Sequence, residues 1–132
     1  MSSAKYASQV YAKSAIETSD PREREATLLL RAAAQLQAVR DRWCKDPPGL
    51  HEALLYNRRL WLVFIDAVSS DQNKLPPAAR QNILNIGAFV MAEIFSLITK
   101  PDPVHLENLI RINRKLAGGL SAQTGQRAPE AA

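Results

Sequence analysis

The densest apolar patterning lies between Leu50 and Val68, with the run LLYNRRLWLVFIDAV from Leu54. Wound as a helix of about 3.6 residues per turn, this stretch aligns Leu50, Leu54, Trp61, Phe64 and Val68, with Ala53, Leu60 and Ala67 beside them. Each large apolar side chain taken out of water contributes roughly 1.5–3 kcal/mol, so the pattern predicts a central core helix. The opposite face carries Leu55 and Leu62, one heptad apart, among His51, Glu52, Arg58, Arg59 and Asp66. The helix itself gives these two leucines nothing to pack against.

Four more helices follow from the same reading. Ala4 to Ile16 is weakly amphipathic, with Tyr6 and Val10 one turn apart and Ala7 and Tyr11 beside them, and predicts a docking arm. At Thr18 to Glu23, Asp20 can cap, Pro21 suits the first helical position and Glu23 completes a capping box. The helix that starts there spaces Leu29, Ala32, Leu36, Val39 and Trp43 by threes and fours, as a helix–helix seam requires. Pro47-Pro48-Gly49 ends it, because proline removes a backbone donor and restricts the residue before it.

Turn-forming Ser70, Asp71, Gln72 and Asn73 lead into Pro76-Pro77 and a fourth helix from about Pro76 to Thr99. Its apolar arc is unusually wide: Ala79, Ile83, Ile86, Val90, Ile94 and Leu97 lie on one side, with Leu84, Met91, Phe95 and Ile98 next to them. Such a helix must touch neighbours on two sides or meet a partner. Gln81, Asn82, Asn85, Glu93 and Ser96 form the narrow polar strip, with Phe89 in its midst. In the last helix, Asp102 caps and Pro103 begins a stripe of Leu106, Leu109, Ile112, Leu116 and Leu120, and Gly118-Gly119 reads as a stop. The expected fold is all-α: a single small bundle of about five helices over residues 1–120 and a disordered tail over 121–132.

Composition narrows the class. A hydrophobic share of 46% and a charged share of 23% are those of a globular chain, and 132 residues suffice for one core without disulfides or metals. The single Cys44 cannot form an intramolecular disulfide and the N-terminus lacks the apolar run of a signal peptide, so a cytoplasmic location is expected. Ile83 to Ile98 is interrupted by Asn85, Glu93 and Ser96 and falls short of the roughly 20 apolar residues that span a bilayer, so no membrane segment is expected. A net charge of +4 permits an anionic partner, and Arg24, Arg31, Arg42 and Lys45 form one basic stripe, Arg111, Arg114 and Lys115 another. Neither stripe contains aromatic residues that would stack on bases, which favours a solvated face.

Catalytic chemistry finds no foothold. His51 and His105 lack ligand spacing, Cys44 has no histidine nearby in sequence to serve as a base, and no glycine-rich phosphate loop opens a helix. The expectation is a protein without enzymatic activity, metal or cofactor. Asn57, at the edge of one apolar face, and Asn113, within another, read as buried amides that pin the packing, in preference to the alternative of direct ligand contact.

LLLRAAAQLQAVRDRW, ALLYNRRLW at Ala53 to Trp61, RQNILNIGAFV at Arg80 to Val90 and INRKLAGGL at Ile112 to Leu120, in that order from about Thr18 to Leu120, resemble the FlaF family of flagellar biosynthesis regulators of alphaproteobacteria. The matching motif positions are Tyr56, Asn57, Arg58, Trp61, Asn82 and Asn113. The resemblance implies a small cytoplasmic helical protein needed for flagellin production and export, acting post-transcriptionally alongside FlbT, and it carries no catalytic residues. Flagellin's terminal segments become amphipathic helices only on assembly, so a bundle with an apolar groove can cover them before export. Leu55, Leu62 and Phe89, with Arg58 and Asn82, are the residues expected to line that groove. A homodimer would hide the same apolar residues. The alternative partner is RNA, such as a flagellin message, held by the two basic stripes.

Overall fold

The computed structural model describes residues 21–131, with side chains through residue 122. Four helices fill this range: α1 (Pro21–Asp41), α2 (Leu50–Ser69), α3 (Pro77–Thr99) and α4 (Pro103–Ala131). No strand occurs among the described residues. The helix expected over Ala4–Ile16 and the cap expected at Asp20 lie outside them, so four of the five expected helices are described.

The helices form a ring in which each packs on its neighbours, α1 on α2, α2 on α3, α3 on α4, and α4 most extensively back on α1. Leu29, Leu36, Trp61, Val90, Leu97, Leu106 and Leu109 have no exposed surface and make the centre. On α2 the expected line is buried at Leu50, Leu54, Trp61 and Val68, whereas Phe64 is half-buried and Ala67 exposed. Phe64 meets the Trp61 ring edge-on, with centroids 5.8 Å apart.

The turns follow their local chemistry. Gly49 precedes α2 at φ 81, in the left-handed region that costs other residues roughly 1–2 kcal/mol, and its carbonyl accepts the first helical bond from Ala53 N–H at 3.0 Å. Asp102 caps α4 as its position predicts: Oδ1 accepts from Val104 N–H at 2.9 Å and the backbone carbonyl from His105 N–H at 3.2 Å. Between α2 and α3, Asn73 Nδ2 donates to the Ala67 carbonyl at 3.1 Å and Asn73 Oδ1 accepts from Leu75 N–H at 2.9 Å. That asparagine closes the open end of α2 and starts the reversal.

One expectation changes within α4: Gly118-Gly119 does not stop the helix, which is described from Pro103 to Ala131. Ala117 and Leu120 are buried on either side of the pair, and that packing outweighs the roughly 1 kcal/mol each glycine costs a helix. By length and composition alone α3 is apolar enough to cross a membrane, with a window of mean hydropathy 1.6, a test that the core helix of a bundle also passes. Its interrupting residues are single and mostly uncharged, so they lower the average less than the expectation assumed. Only 28% of that window is buried within the bundle, so much of its apolar surface faces outward.

Candidate partner-binding site

The polar groups in the core explain most of the motif positions. Trp61 Nε1 donates to Asn113 Oδ1 at 2.9 Å, and Asn113 Nδ2 donates to Asn57 Oδ1 at 2.6 Å. All three side chains have no exposed surface. This chain of bonds ties α2 to α4 across the ring, the register-pinning role read from the sequence for the two asparagines. Asn57 Nδ2 has no partner among the described residues. A second link joins α3 to α4: Glu93, which the sequence reading placed on the outer polar strip, is buried and lies 2.9 Å from His105 Nδ1 and 3.0 Å from Asn108 Nδ2. The helix turns that strip toward α4, where two side chains supply partners for the carboxylate. Sequence spacing alone could not supply that information, because it is a property of the neighbour.

With these residues assigned to the fold, the candidates are those left outside. Leu55 is half-buried, and Arg58, Leu62, Asn82 and Phe89 are exposed. Leu55 and Phe89 line two separate grooves. A Cβ added to Gly87 would lie 2.8 Å from Ile65 Cδ1, which marks the α2 flank of α3. Phe89, two residues on, is about 200° around the helix and lies in a groove with Ile112, Lys115 and Leu116 of α4. Leu55, Arg58 and Leu62 therefore belong to the α2 side, and Leu55 also edges a mixed-charge groove between α1 and α2 with Tyr56, Arg59 and Arg42.

The largest exposed apolar side chains on α3 are ones the sequence reading grouped with the buried arc: Phe95 is 67% exposed and Ile98 59%. They share a line with Leu84, Ala88 and Met91, at spacings of four, three, four and three. Ile83, Gly87, Val90, Ile94 and Leu97 repeat the same spacings one residue earlier and face the core. So α3 carries two heptad seams about 100° apart, one filled by the bundle and one largely open, with Met91 packed at the edge of the core. Leu62 of α2 is exposed on the flank beside the open seam, because α2 and α3 run antiparallel and Ile65 meets Gly87.

The cations are distributed differently from the apolar residues. Arg111, Arg114 and Lys115 line a groove between α1 and α4 together with Arg40. Much of that charge is engaged within the groove, since Arg40 Nε lies 2.7 Å from Glu107 Oε1 and Arg114 Nη2 donates to Gln37 Oε1 at 3.2 Å. Arg31 is exposed on α1 and Arg42 and Lys45 are exposed just beyond its end, while Arg24 is half-buried. No aromatic side chain lines the α1–α4 groove.

Among curated proteins and among solved structures nothing matches the chain. The family model described as flagellar protein FlaF matches residues 7–120, beginning earlier than the resemblance read from Thr18 and taking in most of the N-terminal arm. The chain thus belongs to the FlaF family.

Proposed function

We propose that this flagellar protein is a non-enzymatic flagellin chaperone of the cytoplasm that supports flagellin synthesis and export post-transcriptionally, with FlbT as a further partner. The observation that carries the reading is the outer seam of α3, a complete heptad pattern in which Ala88, Phe95 and Ile98 are exposed and Leu84 and Met91 half-buried. A seam of this spacing is filled by the apolar face of another helix, and the terminal segments of unassembled flagellin are amphipathic sequences awaiting such cover. Phe95, Met91 and Ile98 supply the anchors, with Leu55, Arg58 and Leu62 as the α2 border. Phe89 and Asn82 lie on the other flank and are not part of this surface.

Calorimetric titration with the organism's own monomeric flagellin tests the reading. The expected result is binding that persists at high salt and weakens by about tenfold or more in Phe95→Asp and Leu62→Asp, whose exposed positions leave the fold intact. Unchanged affinity in both folded variants sinks it. The second reading, RNA binding, draws on the gathering of Arg40, Arg111, Arg114 and Lys115 in one groove. It requires an affinity that falls steeply with salt and with charge reversal there, and the internal pairing of Arg40 and Arg114 counts against it.

A further inference from the structure

The groove between α3 and α4 has a volume of about 450 Å³ and is lined by Asn85, Ile86, Phe89, Ile112, Lys115 and Leu116. Its lining is mainly apolar, and Phe89 is 47% exposed there. Leu116 is shared with a smaller cavity bordered by Ile83, Leu120 and the first turn of α1, where Arg22 and Glu25 stand. The chain therefore enters α1 at one end of this groove.

We infer that the groove is the docking site of the chain's own N-terminal arm, with the Tyr6 and Val10 face laid against Phe89, Ile86 and Ile112. Three observations select this occupant over a partner. The first is the place at which the described chain begins, Pro21, beside the cavity that shares Leu116 with the groove. The second is reach. Phe89 lies six residues along α3 from Ile83, roughly 9 Å. Val10 stands eleven residues before Pro21, and eleven residues of chain can span up to about 36 Å, so the separation is reached with slack. The third is membership: the family match begins at residue 7, so most of the arm lies within the matched stretch. Its stripe of Tyr6, Ala7, Val10 and Tyr11 is short and mixed in size, which suits a groove about one helical turn long with a polar rim at Asn85 and Lys115.

The test uses the full chain without flagellin, so its outcome does not depend on the proposed function. In a Cys44→Ser background, which removes the exposed native thiol, thiol-labelling rates are compared for Phe89→Cys and Phe95→Cys. Arm docking predicts labelling of the Phe89→Cys variant slower by about tenfold or more, a protection that disappears when Tyr6→Asp and Val10→Asp are added. It also predicts a monomeric disulfide when Val10→Cys is paired with Phe89→Cys. Equal labelling at the two positions, or protection indifferent to the arm substitutions, overturns the inference. Protection that rises with protein concentration, or a disulfide found only between chains, gives the groove to a second copy and overturns it equally.

Discussion

The two seams of α3 are nearly the same sequence pattern read one residue apart, yet one is core and the other is largely surface. Val90, Ile94 and Leu97 are buried in the core with Gly87 and half-buried Ile83 in line, while on the other seam Ala88, Phe95 and Ile98 are exposed and Leu84 and Met91 only half-buried. Apolar content therefore does not decide which seam the bundle fills. What distinguishes the inner seam is Gly87, whose missing side chain lets Ile65 approach, together with Glu93, whose carboxylate faces His105 and Asn108. A helix with two apolar seams needs such markers to settle in one rotation.

The largest effect that would break this contrast is a core truncation. Leu97→Ala removes a side chain with no exposed surface and is expected to cost about 2–5 kcal/mol in urea unfolding, whereas Phe95→Ala should stay within about 0.5 kcal/mol. Similar losses at both positions would mean that the outer seam is also packed. Next comes the polar link across the ring: Asn113→Ala leaves Trp61 Nε1 and Asn57 Oδ1 unpaired, at about 1–3 kcal/mol for each group. Asn85→Ala, at an exposed position on the rim of the α3–α4 groove, serves as the control that should barely shift the midpoint.

A smaller effect sharpens the role of the close approach. Gly87→Ala gains about 1 kcal/mol of helix propensity but forces Ile65 aside, and overpacking of that kind costs about 1–3 kcal/mol, for a net loss near 1 kcal/mol. Adding Ile65→Ala should make the double variant more stable than the sum of the single losses by at least about 0.5 kcal/mol. Simple additivity would show that the contact is not what sets the helix spacing. The smallest change has the opposite sign. A Cβ at Gly118 or Gly119 meets nothing within 4 Å, so either residue changed to Ala should raise stability by about 0.5–1 kcal/mol, seen as a higher unfolding midpoint.

Helix ends and inner faces were legible because they depend on local chemistry. Asp102 and Pro103 open α4, Pro47-Pro48-Gly49 separates α1 from α2, and the buried lines of α1 and α2 follow from spacing alone. The surface was less legible. The winding of α3 fixes the angle between Phe89 and Phe95, but which of them meets α4 depends on where α4 lies, and sequence periodicity carries no such information. For the same reason spacing alone groups Phe89 with Leu55 and Leu62, although the thickness of α3 lies between them. Spacing also misplaces Glu93, because a charged residue reads as surface until its partners are known. Gly118-Gly119 misled in a different way: a stop signal is a propensity, and the burial of Ala117 and Leu120 overrides it.

The pairing of α1 with α4 also bears on when the protein becomes a folded unit. Among the described helices α1 packs most extensively on α4, with less contact to α2, so much of the surface around Leu29 and Leu36 waits for α4 through the synthesis of α2 and α3. Contacts this far apart in sequence close a long loop, which slows folding relative to a bundle of sequential neighbours. The ring is completed only when the chain through Leu120 has left the ribosome. A message cut short anywhere within α4 yields an α1 without its main partner, and the cell would see exposed leucines instead of a partly active protein.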